Sequence, residues 1–126
     1  MILDSYSVMP VDDIGACVTW YRAALAFEPI YFHEGDEPEE PTNYAILERD
    51  GVRVHLILDE GQPEYPWARI GMGYLYLRVT DASVLAEEVR SRGIPFARDL
   101  QTEPWGSLAF NLVDPAGNQI HLESWI

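Results

Sequence analysis

The 126-residue sequence predicts an α+β domain of two βαβββ modules in tandem, forming curved mixed sheets with helices on their outer face. Three observations predict it. Apolar residues recur at helical spacing in two stretches and alternate at strand spacing in several others. An Asp-Gly pair joins two of the alternating runs. The same order of elements then occurs twice along the chain.

Residues 3–11 (LDSYSVMPV) read as the opening strand. Asp12 and Asp13 follow where helix N-caps belong, because a short carboxylate can accept from the free N–H groups of the first turn. Ile14, Cys17, Val18, Tyr21 and Leu25 then share one helical face. Cys17 lies on that stripe and reads as a small core residue. Pro29 is expected to close the helix, with Ile30-Tyr31-Phe32 as the next strand. Residues 34–42 hold five acids and two prolines and read as a solvated loop beside a surface His33. Asn43–Glu48 and Val52–Leu58 form a hairpin turned at Asp50-Gly51, a pair that accepts positive φ at both positions. A second loop, Asp59–Ile70, is acidic at first and then carries Tyr65 and Trp67.

The second half starts with an alternating strand over 72–80. Asp81 caps a helix with Ala82, Leu85 and Val89 on one face, and Gly93 ends it. Ile94–Ala97 reads as a short strand. Ser107–Val113 and Asn118–Trp125 form the closing pair around Asp114-Pro115-Ala116-Gly117. The halves superpose in sequence: Tyr6 on Tyr74, Val11 on Val79, Asp13 on Asp81, Arg22 on Arg90, and Val54-His55-Leu56 on Ile120-His121-Leu122. One domain over 1–126 is expected, with modules at about 1–62 and 70–126 linked by the acidic and aromatic loop.

Composition narrows the function. Twenty-one acids against eight bases give a formal net charge of −13. That sign opposes phosphate contacts and excludes most nucleic-acid binders. It repels anions and attracts cations. The apolar runs are too short to span a membrane and no leader is visible, so a cytoplasmic protein is expected. One cysteine excludes an internal disulfide and a cysteine zinc site. Glycine-rich phosphate loops and nucleophile elbows are missing, Ser107 and Ser124 have no visible base, and Glu87-Glu88 reads as a solvated helix face.

Strand phase places the candidate site. Side chains alternate across a strand. Tyr74, Tyr76 and Arg78 share one face, opposite Leu75, Leu77 and Val79. His55 goes with Arg53 and Ile57, and His121 with Gln119 and Glu123. The apolar faces take the helices, which leaves tyrosine, histidine, arginine and glutamate lining a groove.

The stretches VDDIGACVTWY (11–21), RDGVRVHLIL (49–58), GYLYLRVTD (73–81) and EPWGSLAFNLVDPAGNQIHLE (103–123) carry a resemblance. The chain resembles the vicinal-oxygen-chelate superfamily of glyoxalases, extradiol dioxygenases and bleomycin-resistance proteins. Pro104-Trp105-Gly106 with Asp114-Pro115-Ala116-Gly117-Asn118 points to the bleomycin-resistance branch. The resemblance implies two half-open barrels and a homodimer whose grooves each draw on both chains. Enzymes of the family hold a divalent metal on four strands. The matching positions here are Tyr6, His55, Tyr74 and His121, a set without a carboxylate.

The expectation is therefore a metal-free groove that sequesters a cationic aromatic antibiotic of the bleomycin type. Trp105, Tyr74 and Tyr76 would stack on it, with Tyr6, Trp67, Phe32 and Gly106 beside them. His55 and His121 would hydrogen-bond it, with protonation tuned by the acidic surroundings, and Asp59 and Glu60 would attract its basic tail. Trp20 and Trp125 read as core or interface. One alternative is a lyase, isomerase or dioxygenase with one divalent transition metal on His55 and His121, aided by Tyr6 and Tyr74. Another is an immunity protein for a different natural product.

Overall fold

Asp13 and Asp81 open the two helices. Asp13 is extended and its carboxylate accepts from Ala16 N, starting α1 (Ile14–Leu25). Asp81 does the same for Ser83 N and Val84 N at the start of α2 (Ala82–Ser91). Around them the computed structural model, which describes residues 1–33, 42–64 and 66–125, places eight strands. These are β1 (Ser7–Val11), β2 (Glu28–His33), β3 (Tyr44–Arg49), β4 (Val52–Leu58), β5 (Tyr74–Arg78), β6 (Arg98–Thr102), β7 (Ser107–Val113) and β8 (Gln119–Trp125). They form two four-stranded sheets, ordered β1-β4-β3-β2 and β5-β8-β7-β6. In each, the first strand runs parallel to the last and the other pairs are antiparallel. The two sheets thus share one topology, which is that of tandem βαβββ units.

Several local expectations need correction. The opening strand starts at Ser7, so Tyr6 precedes it. α1 stops at Leu25 because Ala26 turns left-handed (φ 55°) and its N–H returns to Arg22 O. Pro29 lies inside β2, an edge strand, where a missing N–H costs no ladder bond. Residues 94–97 are not a strand. Ile94 and Phe96 pack against the core, and Phe96 stacks on Phe110 at 4.9 Å. The strand is β6, another edge, whose sequence RDLQT carries no apolar alternation. The acidic segment 34–41 and Tyr65 lie outside the described residues. Asp50 (φ 52°) and Gly51 (φ 79°) make the β3–β4 turn, as their sequence predicts.

One core spans both modules. Met9, Tyr21, Leu47 and Leu56 from the first sheet and α1 join Leu75, Val89, Phe110 and Leu122 from the second sheet and α2. Cys17 is buried in it, and burial first, then Asp114, pushes its thiol up to about 12. Trp20 packs against this core, while Trp125 is half-exposed at the end of β8.

Polar residues lock the modules together. Asn118 Nδ2 donates to Pro10 O (2.8 Å), and its Oδ1 accepts from Gly73 N (2.7 Å). Asp114 accepts from Tyr21 Oη (2.8 Å), Ala116 N and Asn118 N. The Asp-Pro-Ala-Gly-Asn turn therefore ties β1 and α1 to the start of β5, within one chain. A Cβ on Gly73 would sit 2.8 Å from Asn118 Oδ1, so this close approach requires glycine.

Candidate ligand-binding groove

Hairpin register decides which residues face the groove. Tyr44 lies opposite Ile57 and Ile46 opposite His55. Across the parallel pair, Val8 lies beside His55 and Pro10 beside Ile57. On β2, Tyr31 and His33 fall in the same phase, opposite Ile46 and Tyr44. The alternate residues Met9, Val11, Ala45, Leu47, Val54 and Leu56 are fully buried against the helix layer. What remains is an open groove of about 850 Å³, with Val8, Tyr31, Tyr44 and Ile57 among its lining, and Trp67, Met72 and Tyr74 contributed from beyond β4. Glu60 is the one carboxylate among the described lining residues, and neither lysine nor arginine lines it.

The wall between β4 and β5 is held by Asp59. Its carboxylate accepts from Gly61 N (2.9 Å) and Ile70 N (3.1 Å) and pairs with Arg69 (3.3 Å). Those two backbone donors, more than the guanidinium, hold its pKa below the usual carboxylate range. Asp59 is thus engaged in shaping the loop that carries Glu60 and Trp67.

His55 sits on the groove face between Val8 and Ile46. Its Nδ1 lies 2.5 Å from Tyr44 Oη, and the Tyr6 ring stacks on it at 4.7 Å and 22°. Its Nε2 is buried and has no hydrogen-bond partner among the described residues. Burial first, then Arg53, lowers the imidazole pKa, and burial raises that of the Tyr44 phenol. Both groups are neutral at pH 7.

A second cluster forms on the other sheet. The Tyr76 ring lies 4.7 Å from that of His121. His121 Nδ1 meets Asn111 Oδ1 at 3.1 Å, and Nε2 lies 3.5 Å from Glu123 Oε1. The same oxygen accepts from Trp105 Nε1 (2.9 Å) and Ser107 Oγ (2.6 Å). His121 and Glu123 are 6% and 3% exposed, whereas Tyr76 and Trp105 are half-exposed. Gly106 (φ 89°) makes the β6–β7 turn that presents Trp105. Arg98 pairs with buried Glu103 nearby. Burial lowers the His121 pKa and outweighs Glu103, which raises it, with Arg98 lowering it further; at His55 burial and Arg53 act in the same direction and no carboxylate opposes them.

The expected site residues therefore separate within one chain. Glu60, Trp67 and Tyr74 line the groove, with His55 and Tyr6 beside it. Tyr76, His121, Trp105 and Gly106 gather on the second sheet. Phe32 lies opposite Ala45, on the face away from His55, because one step along a strand reverses direction. His33 is exposed, as its sequence reading expects, and it also lines the groove. Tyr31 and Tyr44 were missed. The Asp50-Gly51 register would have found Tyr44, since it places residue 44 in phase with His55.

The four family metal positions do not fit a catalytic divalent ion. Tyr6 and Tyr74 offer phenols where imidazole or carboxylate ligands would suit a divalent ion. His121 has both ring nitrogens beside Asn111 and Glu123, and His55 has Nδ1 on Tyr44. Among the described residues, no group of three or more His, Cys, Asp or Glu side chains could hold a metal.

The family profile described as Glyoxalase/Bleomycin resistance protein/Dioxygenase superfamily matches residues 3–122, and the chain belongs to that superfamily. Solved structures share the fold. A glyoxalase-related enzyme from Clostridium phytofermentans aligns with TM-score 0.80 and 16% identity, over 100% of this chain and 97% of that one. A superfamily member from Sphaerobacter thermophilus gives 0.78 and 23%, over 98% of each. The bleomycin-binding protein of the bleomycin producer Streptomyces verticillus, solved with copper(II)-bleomycin, gives 0.72 and 24%, over 97% and 95%. Separately, 76 residues, 60% of this chain, are 30% identical to part of cardiolipin synthase B from Escherichia coli (strain K12). This chain spans 18% of that curated relative's length.

Proposed function

We propose that the chain is a metal-free binding protein that sequesters an aromatic, cationic small molecule of the bleomycin type. The observation that carries this reading is the composition of the groove. Tyr31, Tyr44, Tyr74 and Trp67 supply aromatic surface, and Glu60 supplies the one formal charge among the described lining residues. Its volume suits a drug-sized ligand. The net charge of −13 favours a cationic one. The donor set at the family metal positions supports binding without metal chemistry. The fold shared with the Streptomyces verticillus protein is in keeping with a superfamily that includes binding proteins as well as enzymes.

The working unit in this proposal is a cytoplasmic homodimer. Tyr76 and Trp105 present half-exposed rings beyond the described groove lining, Tyr76 on the same face of β5 as Tyr74. The Glu123 carboxylate holds the Trp105 indole in place. In the dimer, such a rigid face would close the groove of the other protomer. A Trp105→Ala substitution is then expected to weaken metal-free bleomycin by about 1–3 kcal/mol, the scale of an aromatic hot spot. Equilibrium dialysis checks this, and unchanged affinity would remove Trp105 from the site. Metal analysis of protein purified without chelator tests the other half. One transition metal per chain, lost in His55→Ala or His121→Ala, would favour the enzyme alternative.

A further inference from the structure

Asn118 is one bridge between the modules, and two arginines make a second. Arg92, at the C-cap of α2, donates to Ala24 O near the end of α1 (3.3 Å). Glu88 of α2 pairs with Arg92 (3.2 Å) and with Arg49 of β3 (3.7 Å). Beside this second bridge lies a cleft of about 600 Å³. Leu25, Phe27 and Val52 line it from the first module, and Leu77, Val84 and Leu85 from the second. It shares no described lining residue with the groove. Apolar clefts of this size at the junction of two units are common sites for small molecules.

Arg49 is the polar group of this cleft whose bonding capacity is least used. Its Nη1 donates to Leu25 O (2.7 Å). Its Nε lies 3.5 Å from Asp50 and its Nη2 3.7 Å from Glu88, near enough to balance charge but too far for good hydrogen bonds. The carboxylates are better served. Asp81 accepts from Ser83 Oγ, Ser83 N and Val84 N, and Glu88 pairs with Arg92. The capacity left over is therefore that of a donor, and its charge is already matched. We propose that the cleft is a second binding site, for a small neutral molecule with an apolar body and one carbonyl oxygen, which accepts from the Arg49 guanidinium. An anion is disfavoured, because Asp50, Asp81 and Glu88 outnumber Arg49 and Arg78 in the lining. Arg78 also shares the strand phase of Tyr76, away from Leu77. A cation would press against the guanidinium and gain no hydrogen bond from it. Because the bound molecule touches both modules, its binding stabilises their docking.

The test uses the full chain and NMR of its valine and leucine methyls and arginine Nε–H groups. The probes are the ketone 2-acetylnaphthalene, the hydrocarbon 2-isopropylnaphthalene, and the charged 2-naphthoate and 2-naphthylmethylammonium. The ketone should shift the Val52, Val84 and Leu85 methyls and the Arg49 Nε–H. It should bind there about tenfold tighter than the hydrocarbon, the scale of one hydrogen bond to a charged donor. Both charged probes should bind there more weakly than the ketone. The ketone's advantage should vanish in Arg49→Met, with the hydrocarbon's affinity unchanged. Val84→Arg, at an exposed helix position, should weaken both neutral probes. Equal affinities of ketone and hydrocarbon with an unmoved Arg49 signal would overturn the carbonyl contact. Tighter binding by either charged probe would overturn the neutral class. Unmoved Val52, Val84 and Leu85 methyls, with or without shifts at Tyr31, Tyr44 and Trp67, would overturn the second site and leave the groove to its own test. The wild-type spectra decide these outcomes even if Arg49→Met folds poorly.

Discussion

Asn118 makes three side-chain hydrogen bonds that no other residue type reproduces: to Pro10 O, to Asp114 Oδ2 and from Gly73 N. Asn118→Ala leaves a buried N–H and a buried C=O unpaired at the junction of the modules. The expected loss of stability is about 2–4 kcal/mol, measured by urea unfolding. The two histidines make a second residue-scale prediction. Burial holds both below their ordinary pKa in the fold, whereas the unfolded chain protonates them near the ordinary value of about 6.5. The folded state thus binds fewer protons in the window below that value. Stability is full above it and falls as pH drops through it toward the folded pKa values. Urea midpoints at pH 7.5 and pH 5.5 should differ in that direction, and a flat profile would contradict imidazoles held neutral by desolvation in the fold.

At the scale of elements, the caps were legible because their chemistry is local. Asp81 accepts from Ser83 N, Val84 N and Ser83 Oγ. Asp81→Ala should cost about 1 kcal/mol, seen as a lower urea midpoint with an unchanged slope. Helix faces and the hairpin were also legible, since each follows from spacing within a dozen residues. β6 was not, because an outer edge strand needs no apolar alternation, and Arg98, Asp99 and Gln101 interrupt any pattern. Pro29 read as a helix stop for a related reason: sequence alone does not reveal that β2 is an edge. Phe32 was placed by its aromatic character, and register then put it on the face opposite the groove. Tyr44 shows the converse, a groove residue available from register but obscured by its lack of a motif.

At the scale of the whole molecule, duplication accounts for both what was readable and what was not. Two copies of one βαβββ unit announce themselves through matched residues such as His55 and His121. How the copies dock does not follow from either copy alone. Docking through Asn118 and Gly73 brings Tyr74 of β5 to the Trp67 groove on the first sheet, while Trp105 lies at the β6–β7 turn of the second, outside the described lining. Strand phase alone had merged them into one site. The functional account depends on that separation: an aromatic groove left open, and a rigid aromatic face suited to closing it in a second copy. Charge acts at this scale too, since the excess of acids is spread over the chain and would draw a cationic ligand from a distance. Calorimetric titration of the metal-free protein with metal-free bleomycin, at low and high salt, tests the central claim most directly. Sub-micromolar binding at one drug per groove, weakened by salt, is the predicted result. No heat of binding at high micromolar drug would contradict it.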